Sequence, residues 1–242
     1  YRREASILPP PVETRRFAPS DQHDDYFLVV SRLVPYKRVD IAVEAFSRLG
    51  LPLRVVGSGR DGSRLRRLAA SNVRFLGQLS DAEVGVRMAR CRALIVPGEE
   101  DFGLTPVEAQ ACGRPVIAYA AGGVLASVVE GSTGLFFSEQ TAESLAHAVE
   151  RFDDALFDAD AIRHHAEEFD TRRFLQRFSQ FLDARISSHP SLARRANLEY
   201  ASPHPSLDGH FETVPLLEQP TLPTAAQEAA PAAAGSPPAS PA

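Results

Sequence analysis

Short apolar runs alternate with segments of helical periodicity from residue 26 to residue 152 of this 242-residue chain. After the first run, apolar side chains recur every three or four residues between Arg38 and Leu49, as on one face of a helix. Repeated strand–helix order makes successive strands parallel and places helices over both faces of the sheet. The sequence therefore predicts an α/β fold with a Rossmann-like parallel sheet, whose ligands bind beyond the carboxyl ends of the strands. The predicted strands are 26–30, 53–56, 73–76, 93–97, 115–119 and 134–137, and the predicted helices are 38–49, 61–70, 80–91, 105–112, 122–130, 141–152, 158–168 and 170–187.

The chain divides into three regions. Residues 1–24 resemble the end of a preceding domain and a linker, residues 25–187 hold the alternating elements, and residues 188–242 are a Pro/Ala-rich tail that we expect to be disordered. Since the first residue is Tyr1 and not Met, we expect a piece of a longer protein. The last predicted helix carries an apolar stripe that needs a partner surface. Its members are Phe174, Leu175, Phe178, Phe181, Leu182 and Ile186.

Composition excludes several functional classes. A formal net charge of -5 argues against a dedicated nucleic-acid binder, and no apolar run is long enough to cross a bilayer. Cys91 and Cys112 lack the spacing of metal ligands, so we interpret both as buried packing thiols in a reducing compartment. No His/Cys/carboxylate cluster has ligand spacing, which predicts no structural metal.

The most informative segment runs from Glu100 to Glu108. It follows the predicted strand 93–97, turns at Gly103 and enters a helix at Thr105. A helix start favours anions, and the flanking carboxylates can accept hydrogen bonds from hydroxyl groups. A site that holds phosphates and hydroxyls together suits a nucleotide-sugar.

Both carboxylates also have structural interpretations. Thr105 and Glu108 have the spacing of a capping box, with Pro106 at the first helical position. Glu100 could be a surface acid in an acidic run, and the two acids could form a general acid/base pair or a metal site. A third metal ligand is missing from the pattern, which ranks the last interpretation lower.

Two turns that follow the first two predicted strands supply further candidates. Arg32 and Lys37 lie five residues apart in a turn, where they could grip a diphosphate or simply form a solvated basic loop. Lys37 is the single lysine of the chain. Either a compact positive charge is required at this position, or Lys37 is a surface lysine that occurs there by chance. Gly57 and Gly59 resemble part of a phosphate-binding loop, although a simple turn explains them better than direct phosphate contact.

In their order along the chain these motifs resemble the donor-binding domain of a GT-B retaining glycosyltransferase of family 4, typified by bacterial polysaccharide and phosphatidylinositol mannosyltransferases. The resemblance covers about residues 5–185. Its most specific part is the Glu100-x7-Glu108 block followed by Ala-Cys-Gly-Arg-Pro-Val. The other matching segments are Ser31-Arg32-Leu33 with Lys37, Val56-Gly57-x-Gly59, Val73–Gly77 and Thr133-Gly134-Leu135.

The resemblance implies a role for each site residue. Arg32 and Lys37 would neutralise the donor diphosphate and the leaving group, while Glu100 would orient the transferred sugar; these three are the expected catalytic residues. Glu108 would accept hydrogen bonds from the ribose. The expected donor-binding residues are Arg32, Lys37, Gly57, Gln78, Leu79, Ser80, Glu100, Phe102, Gly103, Leu104, Thr105 and Glu108, of which 78–80 would line the base pocket.

The resemblance also implies the reaction and its partners. The sugar would be mannose from GDP-mannose, with UDP-linked donors as the alternative, and no metal would be required for donor binding. A glycan or lipid-linked acceptor would bind a missing N-terminal domain, so this chain alone would be inactive. The full enzyme would be cytoplasmic, and peripheral association with the inner face of the membrane fits such acceptors. A non-catalytic nucleotide-sugar-binding module and a sugar-nucleotide epimerase stay open as alternatives.

Overall fold

The computed structural model describes residues 5–20 and 22–187. These residues form six strands and eight α-helices, and strand and helix alternate from β1 to α6. The strands are β1 (Phe27–Val30), β2 (Leu53–Val56), β3 (Val73–Gly77), β4 (Leu94–Val96), β5 (Val116–Tyr119) and β6 (Gly134–Phe137). The helices are α1 (Val39–Leu49), α2 (Gly62–Leu68), α3 (Asp81–Arg90), α4 (Leu104–Ala111), α5 (Val124–Ser127), α6 (Ala142–Glu150), α7 (Ala159–Glu167) and α8 (Thr171–Ser187). The predicted tail 188–242 lies outside the described residues.

All six strands pair in parallel, in the order β3-β2-β1-β4-β5-β6. The chain builds outward from β1 to β3 and then returns to the other side of β1 with β4. This reversal makes the β1/β4 boundary the topological switch point, where the connections after the two strands diverge and leave a crevice. The loops that follow β1 and β4 are therefore the loops expected to border a ligand.

Helices cover both faces of the sheet, which confirms the predicted architecture. On one face, α1, α2 and α6 bury alternate strand side chains such as Phe27, Val29 and Ile95. On the other face, α3, α4 and α5 cover Leu28 and Leu94. Short strands that are buried on both faces cannot alternate apolar with polar residues, which is why they read as continuous apolar runs.

The two cysteines belong to the second of these faces and are fully buried, as predicted. Burial raises the pKa of the Cys91 thiol well above its usual range, and it raises the pKa of Cys112 to about 12. Thiols held in the neutral form in this way pack as small apolar groups and are poor nucleophiles.

Local sequence signals fix two helix ends. Ser80 and Glu83 form the predicted capping box, in which the Ser80 amide donates to Glu83 Oε2 at 2.9 Å. At the end of α4, Gly113 takes a left-handed φ of 70° and its amide donates to the Gln110 carbonyl. The Arg114 amide then donates to the Ala109 carbonyl, which completes a Schellman motif.

The predicted capping box at Thr105 and Glu108 is wrong. Helix α4 begins at Leu104 and its N-cap is Gly103, with a φ of 83° that lets the chain turn directly into the helix. Pro106 therefore occupies the third helical position, where its missing N–H costs no intrahelical hydrogen bond. Glu108 lies in the second turn of the helix, so capping no longer explains this glutamate.

Helix α5 is also shorter than predicted, since it ends at Ser127 and not at residue 130. The chain after it folds back on β6, where Glu130 pairs with Gly134 and the Glu130 carboxylate accepts from the Phe136 amide at 2.6 Å. These pairings with β6 replace the hydrogen bonds that a longer helix would have made.

Helix α8 keeps an apolar surface in the described structure. Leu175 is 54% exposed, and Phe178 and Leu182 are also exposed. Its buried side chain is Arg177, which bonds Glu168.

No helix in the described part of the chain is long and apolar enough to cross a membrane.

Candidate functional site

The loop after β1 is held against the loop after β2 by its backbone. The Ser31 amide donates to the Val56 carbonyl at 3.1 Å, and the Leu33 amide donates to the Ser58 carbonyl at 2.9 Å. A Cβ on Gly57 would lie 1.9 Å from the Ser31 carbonyl oxygen, so no side chain fits there. The Gly57 amide itself donates to the Gly77 carbonyl at 2.7 Å. Close packing against Ser31 therefore requires glycine at position 57, and the Gly57 amide already donates its hydrogen bond within the protein.

The loop after β4 is fixed between two neighbouring loops. Gly98 lies against the backbone of Lys37, since a Cβ there would meet the Lys37 carbonyl oxygen at 2.7 Å. On the other side, Glu100 pairs with Gly122, and the Gly123 amide donates to the Glu100 carbonyl at 2.6 Å. The backbone positions of Lys37 and Glu100 are therefore set by close contacts that only glycine permits.

At the switch point Lys37 and Glu100 meet side by side. Lys37 Nζ lies 2.5 Å from Glu100 Oε2 although the residues are 63 positions apart. Their side chains are only 19% and 22% exposed, so solvent screens the pair less than it screens a surface ion pair. The crevice thus contains a hydrogen-bonded cation and carboxylate, a combination that can serve phosphate and hydroxyl groups together.

Arg32 lies on the same loop and is exposed. Its Nη2 atom donates to the Tyr36 hydroxyl at 2.7 Å, and the ring centroid of Tyr36 is 5.4 Å from Lys37 Nζ. Tyr36 therefore binds Arg32 through its hydroxyl group and lies near Lys37 through its ring. The structure brings Arg32 and Lys37 onto one short segment, with only Lys37 bonded to Glu100.

Glu108 is partly buried on α4 beside residues that sequence reasoning missed. Burial raises the pKa of Glu108, and the negative charge of Asp81 raises it further, while Arg16 opposes both effects. Arg16 Nη2 donates to Asp81 Oδ2 at 2.8 Å, which links the segment before β1 to the start of α3. Neither Arg16 nor Asp81 belongs to a local motif, and the two residues are 65 positions apart. No local sequence pattern therefore predicts their contact.

The predicted base-pocket segment leads from β3 into α3. Gln78 is exposed, and Leu79 packs partly into the apolar layer on the α3 face of the sheet. Ser80 uses both its amide and its hydroxyl to bond Glu83 Oε2, with the hydroxyl at 2.7 Å. Ser80 is therefore positioned by the capping box, next to the residue, Asp81, whose charge reaches Glu108.

At the start of α4, the groups available to a ligand belong to the backbone more than to the side chains. The ring of Phe102 packs against that of Phe169, with centroids 5.6 Å apart, so its side chain points toward α7. Gly103 turns the chain, and the exposed Leu104 and the half-buried Thr105 follow as the first two helical residues. Of the four backbone positions from the N-cap Gly103 to Pro106 whose amides have no intrahelical acceptor, only Pro106 lacks an amide proton, which leaves three donors to favour an anion.

The described residues contain no group of three or more His, Cys, Asp or Glu arranged to hold a metal ion. The structure places the candidate residues along one edge of the sheet, and each loop at that edge carries a different kind of chemical group. Cations lie on the β1 loop, Glu100 on the β4 loop, and Glu108 with Asp81 and Arg16 farther along that edge.

Two sequence relatives of this chain are named as glycosyltransferases. The chain is 33% identical over 180 residues to the GDP-mannose-dependent monoacylated alpha-(1-6)-phosphatidylinositol monomannoside mannosyltransferase of Corynebacterium glutamicum, covering 62% of this chain and 47% of that protein. It is 34% identical over 176 residues to the D-inositol 3-phosphate glycosyltransferase of Actinosynnema mirum, covering 60% and 42%. The chain thus spans less than half the length of these two relatives.

Solved structures agree on the fold. The sucrose-phosphate synthase of Thermosynechococcus elongatus matches with a TM-score of 0.66 and 26% identity, over 76% of this chain and 53% of that one. HepE of Anabaena, in complex with UDP and glucose, matches with a TM-score of 0.64 and 22% identity, over 74% and 56%. The family profile described as "Glycosyl transferases group 1" matches residues 12–155, more than half of the chain. This protein therefore belongs to the group 1 glycosyltransferases and has the corresponding half of a GT-B fold.

Proposed function

We propose that residues 25–187 bind the donor in a retaining glycosyltransferase that moves mannose from GDP-mannose to a glycan or lipid-linked acceptor. The observation that carries the proposal is the contact of Lys37 with Glu100 at the topological switch point, 2.5 Å apart. A nucleotide-sugar presents a diphosphate and a ring of hydroxyls to one crevice, and this pair offers a cation and a carboxylate to the same crevice.

Each side chain then has a chemical task. Lys37 and Arg32 stabilise the diphosphate in the bound donor and, more strongly, as the bond from the sugar C1 atom to the phosphate oxygen breaks. The electron pair of that bond goes to the diphosphate. The acceptor hydroxyl attacks C1 on the same face and transfers its proton to a phosphate oxygen, so anomeric configuration is retained.

Carboxylates hold the hydroxyl groups of the donor. Glu100 accepts hydrogen bonds from the sugar hydroxyls, and Glu108 accepts from the ribose. The backbone from Phe102 to Thr105 contacts sugar and phosphate, and residues 78–80 line the base pocket. Arg32 and Lys37 supply the positive charge, so the proposal assigns no metal ion to donor binding.

The sugar and nucleotide are inferred from relatives. The relative from Corynebacterium glutamicum is named as GDP-mannose-dependent and is 33% identical over 180 residues, which favours GDP-mannose over UDP-linked donors. Since this chain spans less than half of that protein, the acceptor would bind a further domain that residues 1–24 join to this one. We propose that the whole enzyme acts in the cytoplasm, at the inner face of the membrane when the acceptor is a lipid.

Calorimetric titration with GDP, UDP and ADP tests the proposal. GDP should bind most tightly. Equal affinity for all three would remove the support for mannose, tighter binding of UDP would select the UDP-sugar alternative, and failure to bind any of them would overturn the nucleotide-sugar function. Incubation of the 242-residue chain with GDP-mannose and a sugar acceptor should give no product, because we propose that the acceptor binds the further domain.

A further inference from the structure

We infer that Glu100 limits how tightly the site holds a nucleoside diphosphate product, because its carboxylate shares the charge that Lys37 offers to the phosphates. The inference rests on the proposed function, since it assumes that Lys37 faces the diphosphate. It adds a second task for Glu100, separate from holding the sugar, in biasing the site from product toward donor.

The geometry makes the sharing of charge unavoidable. Glu100 Oε2 is 2.5 Å from Lys37 Nζ, and both side chains are about four-fifths buried, with 22% and 19% exposed. The backbone of each residue is fixed. The Glu100 carbonyl accepts from the Gly123 amide at 2.6 Å, and the Lys37 backbone packs against Gly98. A diphosphate that reaches Nζ therefore lies close to the carboxylate of Glu100 in this arrangement of the two side chains.

The repulsion falls more heavily on the product than on the donor. A free nucleoside diphosphate has an ionisable terminal phosphate with a second pKa near 6, so at neutral pH it carries about one more negative charge than the nucleotide-sugar. The donor also carries the sugar hydroxyl groups from which Glu100 can accept hydrogen bonds, whereas the product has lost that sugar. Glu100 thus penalises the diphosphate after transfer and favours the incoming donor, which helps the product to leave.

Substitution of Glu100 by Gln tests this directly. Glu100→Gln should tighten GDP about fivefold, the effect expected when one unit charge is removed at close range in a partly screened site. It should leave GDP-mannose unchanged or weaken it, so the ratio of the two dissociation constants should shift by at least the same factor. Glu99→Gln is the matched control, because it removes an identical charge from the exposed neighbouring residue and should change neither constant by more than about twofold.

The outcomes separate the inference from the proposed function. If wild-type protein binds neither GDP nor UDP, or binds them equally well after Lys37→Ala, the proposed function fails and takes the inference with it. If binding depends on Lys37 but Glu100→Gln leaves GDP affinity unchanged or weakens it, the inference alone is overturned. Equal tightening by Glu99→Gln would also overturn it, since the effect would then reflect general charge.

Lys37 offers a second readout because it is the single lysine of the chain. Protein labelled with 13C at the lysine ε position has one lysine side-chain signal. This signal should move on Glu100→Gln before nucleotide is added, and an unmoved signal would mean that the two side chains do not interact in solution. Glu100→Ala, which also removes the charge, should tighten GDP in the same direction if the Gln variant proves unstable.

Discussion

The amide nitrogen of Gly123 lies 2.6 Å from the carbonyl oxygen of Glu100, so the loop after β5 clamps the loop that carries this glutamate. The neighbouring Gly122 pairs with the same residue, and its left-handed φ of 70° brings the two backbones into contact. The position of Glu100 beside Lys37 therefore depends on glycines twenty-odd residues further along the chain.

Gly122→Ala should push the Glu100 loop away. The added Cβ would lie 2.3 Å from the Glu100 carbonyl oxygen, so the loop must move or the substitution must strain the backbone. We expect a loss of about 2–4 kcal/mol in the free energy of unfolding, from overpacking and from the left-handed conformation together. Urea denaturation measures the loss, and the ratio of the GDP and GDP-mannose dissociation constants should shift in favour of GDP, as in Glu100→Gln, because the Glu100 carboxylate moves away from Lys37.

Gly131→Ala is the control for this experiment. Gly131 has nearly the same φ, 74°, but a Cβ there meets no atom within 4 Å. Its substitution should cost only the conformational strain, about 1–2 kcal/mol, and leave GDP affinity unchanged. Equal losses for the two variants would show that the contact with Glu100 carries no constraint.

Lys37→Ala should weaken diphosphates selectively. Loss of a charge-assisted contact should reduce GDP affinity by about 10- to 100-fold, which corresponds to about 1.4–2.8 kcal/mol. Guanosine lacks phosphate and should bind as before, and calorimetry with both compounds measures the difference. Arg48→Ala removes one positive charge near the far end of α1, at the opposite edge of the sheet, and should alter neither affinity. Equal losses of GDP and guanosine in Lys37→Ala would refute the phosphate role.

Glu108→Gln should make the fold more stable at neutral pH and, by a separate effect, weaken the binding of ribonucleotides. Burial raises the pKa of Glu108 above its ordinary value of 4.5, with the charge of Asp81 adding to the effect. A raised pKa in the folded state means that the ionised carboxylate costs stability at neutral pH, and that this cost disappears below pH 4.5, where folded and unfolded states are both protonated. Glu108→Gln should therefore raise the melting temperature at pH 7, by roughly 2–4 °C, and leave it unchanged near pH 4.

The same variant should bind ribonucleotides less well. A carboxylate accepts hydrogen bonds from both ribose hydroxyls, whereas the amide of Gln offers one oxygen and two donors. Wild-type protein should prefer GDP to 2′,3′-dideoxy-GDP, and Glu108→Gln should reduce this preference. A stabilised variant with an unchanged preference would place the ribose elsewhere.

Sequence reasoning recovered the strands and the capping box at Ser80 because both depend on neighbouring residues. It misplaced the start of α4 because the left-handed turn at Gly103 leads into the helix two positions earlier than the Thr105 signal suggests. Contacts between distant loops had no local signal at all. The pairing of Lys37 with Glu100 follows from the strand order, in which β4 returns beside β1, and periodicity alone does not specify that order.

Arg16 and Asp81 illustrate the same limit. Each is an ordinary charged residue in its own segment, and only the packing of the segment before β1 on α3 and α4 brings them near Glu108. A sequence pattern could identify Glu108 by its spacing from Glu100, but it could not supply the charges that surround it.

The packing of the segment before β1 on α3 also depends on the geometry of one side chain, that of Arg114. It is 9% exposed, its Nε atom donates to the Ala89 carbonyl at 2.8 Å and its Nη2 atom donates to the Ser20 carbonyl at 2.5 Å. One planar guanidinium thus ties the end of α3 to the segment that precedes β1. The ammonium of a lysine is a point charge on a flexible stem, which cannot reproduce two divergent N–H donors of fixed geometry.

Arg114→Lys should therefore leave one carbonyl without its partner and lower the free energy of unfolding by about 1–3 kcal/mol. Urea denaturation measures this loss, and Arg151→Lys is the matched control, because Arg151 is exposed and the same exchange there should stay within about 0.5 kcal/mol. Nucleotide affinity should be unchanged in both variants, since neither arginine reaches the switch point. If Arg114→Lys were as stable as the control, the two hydrogen bonds would contribute nothing that a single ammonium cannot replace.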